Sequence, residues 1–283
     1  MPELGTYAWS RYRGPILDGL AFAGIALLAY LLVGGGYGFD LFAYWNVDPG
    51  NPYAIAYGIG HFHYTPPAAW LALPLQPFSF DSAFWVYLVV QIAALLVIGG
   101  RYGLAWLAFP PVAIEIYHGN IHLLLALAIW LGFRFPWAWS VVLLTKISSG
   151  VGLVWFVVRR EWRNLALAVG VTAGITIVSL VTRPDLWQAW LRHVLTSNEI
   201  AEPAPNAIHV STFLRIAVGA LIVAWGARTN RRWTVALGST LALPILWIHG
   251  LAMLVAMTPQ NRPGFRDGRV WPPARLQTRT DVQ

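Results

Sequence analysis

The sequence predicts an all-α, polytopic integral membrane protein, a bundle of helices several of which are short or broken. Three observations carry that class. Hydrophobic residues make up 57% of the 283 residues and charged residues 11%, whereas a soluble chain carries roughly a quarter charged residues. Apolar runs near the ~20 residues needed to cross a bilayer recur along the chain. Arginine and lysine gather in some of the connecting stretches and are missing from others, the pattern that sets orientation in membranes.

Taken in order, the first apolar run, 16–34, follows Arg11 and Arg13. It exceeds a signal-peptide core in length and no small-residue cleavage site precedes the polar loop after it, so it reads as a retained transmembrane helix. The polar loop, 35–67, holds Asp40, Asp48, His61 and His63. Residues 68–80, with Pro74 and Pro77, are apolar but too short and broken to span. A helix is expected over 82–99, followed by Arg101. The short runs 103–117 and 121–133 flank His118, Gly119 and Asn120.

Residues 136–158 are long enough to span, yet Lys146 sits in their middle, before Ser148, Ser149 and Gly150. Helices are expected at 165–182 and 210–227, separated by a second polar loop, 183–209, with Pro184, Pro203 and Pro205. The run 234–257 is interrupted at Pro244 and His249. Beyond this membrane domain, 1–258, the arginine- and proline-rich tail 259–283 is expected to be disordered. These segments allow about eight to ten crossings.

Arg101, Arg134 and the clusters at 159–163 and 228–232 mark cytoplasmic ends, whereas 35–67 lacks Lys and Arg and falls on the outer side. Arg134 and Arg159 share a side only if 136–158 is a broken pair that rises to Lys146 and returns. Non-helical backbone is tolerated at membrane depth only where protein or a water-filled cavity covers it. The breaks at His118, Lys146 and His249 are therefore expected to converge near the 35–67 loop, in the outer half of the membrane. The net charge of +7 reflects such arginines and does not indicate nucleic acid. With no cysteine, disulfides and thiolate metal sites are excluded.

Asp40 can cap a helix starting at Leu41, or act as a general base whose pKa is raised by desolvation from Phe39, Phe42 and Tyr44. Asp48, in an Asp-Pro-Gly stretch, is a turn residue. Lys146 costs about 2.5–3.5 kcal/mol at a helix centre and needs a partner. That partner is either Glu115 or a lipid phosphate. Arg215 either snorkels or serves the same anion. His61 with His63, and His118 with His122, each offer two imidazoles, and a metal would need a third from a distant segment. Hydrogen bonds to sugar or phosphate are the alternative, with Asn120 beside Gly119 facing a cavity. His249, in a helix break, is either a core histidine or part of a site. No nucleotide-cradling motif is present, so the activated substrate is sought in the membrane.

Five stretches, in order over about residues 16–250, resemble glycosyltransferase family 87, membrane enzymes of the GT-C type. Phe39-Asp40-Leu41-Phe42-Ala43-Tyr44 is similar to that family's Asp-x-x-x-Tyr in the first outer loop. Phe62-His63-Tyr64-Thr65-Pro66-Pro67 is similar to Tyr-x-Pro-Pro followed by a proline-broken apolar run. His118-Gly119-Asn120-Ile121-His122-Leu123 resembles Gly-Gln-x-Asn-x-Leu, with Asn for Gln at 120 and His for Asn at 122. Lys146 followed by Arg159, Arg160, Trp162 and Arg163 resembles Ile-Lys-x-x-Pro … Arg-Arg-Trp-Arg without the proline. Leu243-Pro244-Ile245-Leu246-Trp247-Ile248-His249 is similar to Ser-Pro-x-Ser-Trp-x-His, with leucine for both serines.

The resemblance implies a GT-C-like helical bundle with a catalytic first outer loop, in which Asp40 is the catalytic carboxylate and His249 a further active-site residue. It implies transfer of a hexose, mannose foremost, from a polyprenyl phosphate sugar to a glycolipid, polysaccharide or protein hydroxyl. Such a chain works among membrane lipids at the outer face of the cell membrane. Tyr44, His63, Tyr64, His118, Asn120 and His122 would contact sugar or phosphate, and Lys146 and Arg215 would neutralise phosphate. No cofactor and no metal are expected. A transporter or flippase of a lipid-linked or polar substrate would also use broken helices with intramembrane charges, and a scaffold would tolerate loss of Asp40.

Overall fold

A computed structural model describes residues 3–55, 60–197 and 207–260. All but the first two residues of the 259–283 tail, and Pro203 and Pro205 of the second polar loop, lie outside the described residues. Among those described, the chain is helical throughout, with one isolated bridge between Ala207 and Trp247. The expected all-α membrane class holds.

Helix α1, Glu3–Val33, contains the apolar span Gly14–Val33. Positive-φ glycines at 35, 36 and 38 end the run and turn the chain into α2, Phe39–Trp45. The short α3, Pro66–Ala72, opens on prolines and passes into a 3₁₀ turn at Leu73–Leu75, too short to cross. Helix α4, Phe80–Gly99, is N-capped by Ser79, whose hydroxyl accepts from the Ser82 amide. Its span continues as the 3₁₀ segment Gly100–Ala108.

Helices α5, Pro110–His118, and α6, His122–Gly132, meet at an angle of 114°. Helix α7, Trp139–Thr145, stops at Lys146, and a 3₁₀ segment, Ile147–Leu153, leads into α8, Val154–Val158. The break expected at Lys146 within 136–158 is thus present. Helix α9, Trp162–Thr182, is a full span. The second polar loop is largely an amphipathic helix, α10, Pro184–Ser197. Helices α11, Thr212–Thr229, and α12, Trp233–Leu241, follow, and the 3₁₀ segment Ile248–Met257 completes the described chain.

Among the described residues, four helices are long and apolar enough to cross a membrane, or five if the bent α5/α6 pair counts as one span. This is fewer than the eight to ten anticipated, because proline, glycine and polar residues divide the remaining apolar sequence into short pieces packed inside the bundle. The spans of α1 and α9 have only 11% of their windows buried. They expose Phe22, Val33, Ile177 and Val181, as a lipid-facing surface requires. Among the described residues, the interior has three apolar clusters. One surrounds Trp139, Trp155 and Phe156, a second joins α4, α5 and α6, and a third packs Leu41, Phe62 and Phe84 beneath the first polar loop.

Arg215 is a structural brace and not a free cation for phosphate, contrary to expectation. Its Nε donates to the Val210 carbonyl at 2.9 Å, and Nη1 to those of Leu241 and Leu243 at 2.8 and 2.6 Å. Nη2 donates to the Thr212 hydroxyl and the Pro244 carbonyl at 2.9 and 3.0 Å. All five guanidinium N–H groups are therefore engaged. They satisfy carbonyls freed where α12 ends at Leu241, a need that no water would meet in this apolar setting.

The bend between α5 and α6 rests on Gly119, at φ +69°, where an added Cβ would lie 2.7 Å from Cβ of Leu41. Only glycine combines that left-handed backbone with the close approach of α2. Gly119→Ala is expected to destabilise the fold by roughly 1–3 kcal/mol, measured as a lower melting temperature of the purified protein in detergent.

Candidate active site

The turn at 34–38 is tied to the end of α5 before the chain enters α2. The Gly38 amide donates to the Tyr117 carbonyl at 2.8 Å, and the Tyr117 hydroxyl donates to the Gly35 carbonyl at 2.6 Å. Asp40, on the first turn of α2, is thereby held over the α5/α6 break. Asn120, just past Gly119, donates its Nδ2–H to Asp40 Oδ2 at 2.8 Å. His118 Nδ1 lies 3.6 Å and His249 Nε2 3.7 Å from the same oxygen. Asn120 Nδ2 is also 3.4 Å from His249 Nε2. Three stretches far apart in sequence thus meet at one carboxylate oxygen.

A chain of hydrogen bonds sets the orientation of the Asn120 amide. Its Oδ1 accepts from the Tyr44 hydroxyl at 3.1 Å and from the Ile121 amide at 2.7 Å, which leaves Nδ2 for Asp40. The Tyr44 and Tyr64 hydroxyls are 3.0 Å apart. Because Tyr44 gives its proton to Asn120, Tyr64 donates to Tyr44. Tyr87 adds a hydrogen bond to the Asn120 carbonyl at 3.0 Å. Lys146 Nζ stands 5.5 Å from the Tyr64 ring centroid, within cation–π range. The Thr65 hydroxyl bonds the Leu144 carbonyl at 2.5 Å and fastens the first polar loop to the Lys146 break. Below the tyrosines is a small apolar cavity lined by Tyr44, Tyr64, Tyr87, Leu71, Leu124 and Thr145.

The electrostatics of Asp40 differ from expectation. Burial pushes its carboxyl up, but the His118 ring, the charge of His249 and the Asn120 amide together outweigh burial and hold it below the usual value. The aromatic surroundings alone would have raised it. Asp40 is therefore ionised at neutral pH. Tyr44 is pushed the other way, first by burial and then by the nearby Tyr64 and Asp40, so its hydroxyl stays protonated as a donor.

Two further expectations need correcting. His122, expected to contact substrate, is fully buried. Its Nδ1 lies 2.9 Å from Glu115 Oε2 and its amide donates to Oε1 at 2.5 Å. Glu115, considered above as a partner for Lys146, is thus matched across the Gly119 turn by His122. A buried carboxylate needs such donors, and the bend brings His122 back over Glu115. His63 is not at the Asp40 cluster. It sits with His61 and with His193 of α10, each 3.1 Å away between ring nitrogens.

Sequence reasoning missed His193 because Pro184 and the flanking charges made 183–209 read as loop. The signal was the helical spacing of Leu186, Trp190 and His193, with Asp185 at the helix start. Burial and then His61 hold the His193 ring below its ordinary pKa. Among the described residues, three groups could hold a metal ion: Asp40 with His118 and His249, Glu115 with His122 and His249, and His61 with His63 and His193.

The model of one protein family, described as Glycosyltransferase family 87, matches residues 62–267, nearly three quarters of the chain. No curated protein and no solved structure matches. The matched stretch contains Tyr64, His118, Asn120, Lys146 and His249. Asp40 and Tyr44 precede it and are attached to it by the hydrogen bonds above. Glu115→Leu is expected to strand the His122 amide and ring and to destabilise the protein by about 2–4 kcal/mol. Glu115→Gln, which keeps an acceptor for the amide, should cost less. Thermal unfolding of the two variants against wild type gives the order.

Proposed function

The chain belongs to glycosyltransferase family 87, and on that premise we propose that this membrane glycosyltransferase moves a hexose, mannose foremost, from a polyprenyl phosphate to an acceptor hydroxyl with inversion. Asp40 is the general base. The observation that carries this reading is the convergence of Asn120, His118 and His249 on Oδ2 of Asp40. No described residue hydrogen-bonds Oδ1, and that oxygen takes the acceptor hydroxyl. Family membership sets the transporter reading aside.

In the proposed reaction the acceptor oxygen attacks the anomeric carbon as the bond from that carbon to the phosphate oxygen breaks. The acceptor proton passes to Asp40 Oδ1, and the polyprenyl phosphate departs with the bonding electrons. A carboxylate with a lowered pKa is a weak base. It suits a transition state in which the leaving group has largely departed, so that the attacking hydroxyl sheds its proton late. Lys146, set against the Tyr64 ring, neutralises the departing phosphate. His249 and His118 hold the Asp40 carboxylate in place and border the sugar. The apolar cavity under Tyr44 and Tyr64 accepts the first isoprene units. A single base and a phosphate leaving group need no covalent sugar–enzyme intermediate, and inversion follows.

The donor assignment is supported by the absence of any nucleotide-binding motif in the sequence and by the apolar walls of the cavity. The outward orientation in the cell membrane is supported by the loop 35–67, which contains Asp40 and no Lys or Arg. The acceptor is a hydroxyl of a glycolipid, a polysaccharide or a protein.

Asp40→Asn should lower the rate of transfer from polyprenyl phosphate mannose by about 10²–10⁴-fold in folded protein reconstituted in lipid nanodiscs. Undiminished transfer would remove the base assignment. The pH profile supplies a second check. With Asp40 held below its ordinary value, the acid limb of activity should lie lower in pH than an unperturbed carboxylate would place it. Asn120→Asp places a second carboxylate beside Asp40 and should move that acid limb upward in pH. An unmoved limb in folded Asn120→Asp would mean that Asp40 is not the titrating group.

A further inference from the structure

We propose that His61, His63 and His193 form a binding site for a divalent transition metal, zinc foremost, separate from the Asp40 cluster. The local sequence prepares two of the ligands. Phe62 is buried among Tyr53 and Tyr64. In an extended segment neighbouring side chains point to opposite sides, so the inward Phe62 sends His61 and His63 outward together. The third imidazole comes from α10, which other contacts seat on the loop. The Trp190 indole donates to the His63 carbonyl at 3.4 Å, and Arg183 donates to the Gly50 carbonyl at 3.1 Å. The Tyr53 ring stacks on His193 at 5.4 Å between centroids, and its hydroxyl bonds the Tyr64 carbonyl at 2.8 Å. The scaffold on both sides is thus held by groups other than the imidazoles.

The ring nitrogens meet at His63 Nδ1. His61 Nε2 and His193 Nε2 each lie 3.1 Å from it, and the three ligand atoms lie within 4.8 Å of one another. Nitrogens bonded to one tetrahedral zinc at ~2.0–2.1 Å stand about 3.3 Å apart. His63 Nδ1 carries either one proton or one lone pair. A cation uses all three lone pairs at one point. An all-imidazole set suits zinc, copper or nickel over magnesium or calcium, and three protein ligands leave a fourth position for water or another oxygen donor.

The site would couple the first polar loop to α10 beside Tyr64, the residue that follows His63 in the chain. A metal there limits the motion of Tyr64 and so of the hydrogen bonds through Tyr44 and Asn120 to Asp40. The inference does not depend on the glycosyl-transfer chemistry, because it is read out by binding.

The test uses the full chain with a tag that lacks histidine, purified in detergent, stripped with a chelator, dialysed against zinc and washed. Elemental analysis should find about one zinc per wild-type chain. Competition with a chromophoric chelator should show at least a tenfold weaker affinity in His61→Gln and in His193→Gln, and no change in Asp40→Asn or Glu115→Gln. X-ray absorption of the wild-type zinc should show three imidazole nitrogens at ~2.0–2.1 Å, a measurement that needs no variant to fold. Wild type without bound zinc would overturn the proposal, as would zinc that leaves with Asp40→Asn or Glu115→Gln but not with His193→Gln. Loss of transfer activity in Asp40→Asn that keeps its zinc would separate this site from the catalytic reading.

Discussion

The hydrogen bond from the Asn120 amide to Asp40, 2.8 Å long, depends on a single left-handed glycine. Gly119 ends α5 and lets α2 approach until Leu41 leaves no space for a Cβ. This brings the first turn of α2, and Asp40 with it, over the α5/α6 break. From there the hydrogen bonds run outward through Tyr44 to Tyr64, and Tyr64 stands against Lys146. Displacing Asn120 would leave Asp40 without its shortest contact and Tyr44 without an acceptor. The candidate site and the bend are therefore one structural unit.

The apolar surroundings explain why so many polar groups are matched internally. A helix broken at membrane depth frees carbonyls and amides that water cannot reach. At the break after α12, the Arg215 guanidinium takes up carbonyls of residues 241, 243 and 244. At the α5/α6 break, Glu115 accepts from the His122 amide and matches its ring. Both residues would look functional in a list of charged groups within apolar runs, yet their donors and acceptors are already engaged. Asp40 differs in being partly exposed, with all its described contacts on one oxygen. That leaves its other oxygen open at an accessible edge, as the proposed base role requires.

Much of the candidate site was legible before any coordinates. Asp40 stood out as a carboxylate between an apolar span and aromatic residues, and the breaks at Gly119, Lys146 and Pro244 are marked by residues that interrupt helices locally. Other features left no local trace. His122 and Asn120 sit two positions apart in the same motif, but the bend buries one on Glu115 and points the other at Asp40. The direction in which the Asp40 pKa moves was misread, because flanking aromatics are visible in sequence whereas the rings of His118 and His249 arrive only on folding. His193 was hidden for the same reason. A helix with a weak local signal carries it 130 residues along the chain to His63.

The sequence by itself determined the helical membrane class of the protein and the places where its apolar runs are broken. Those properties follow from transfer free energies and from the short-range stereochemistry of glycine and proline, which act within a turn or two of helix. Only the tertiary structure decided which polar groups meet. It assigned Arg215 and Glu115 to bracing, gathered Asn120, His118 and His249 at Asp40, and brought His193 to the His61 and His63 pair. Such pairings depend on how helices far apart in the chain pack, and no single stretch of sequence encodes them.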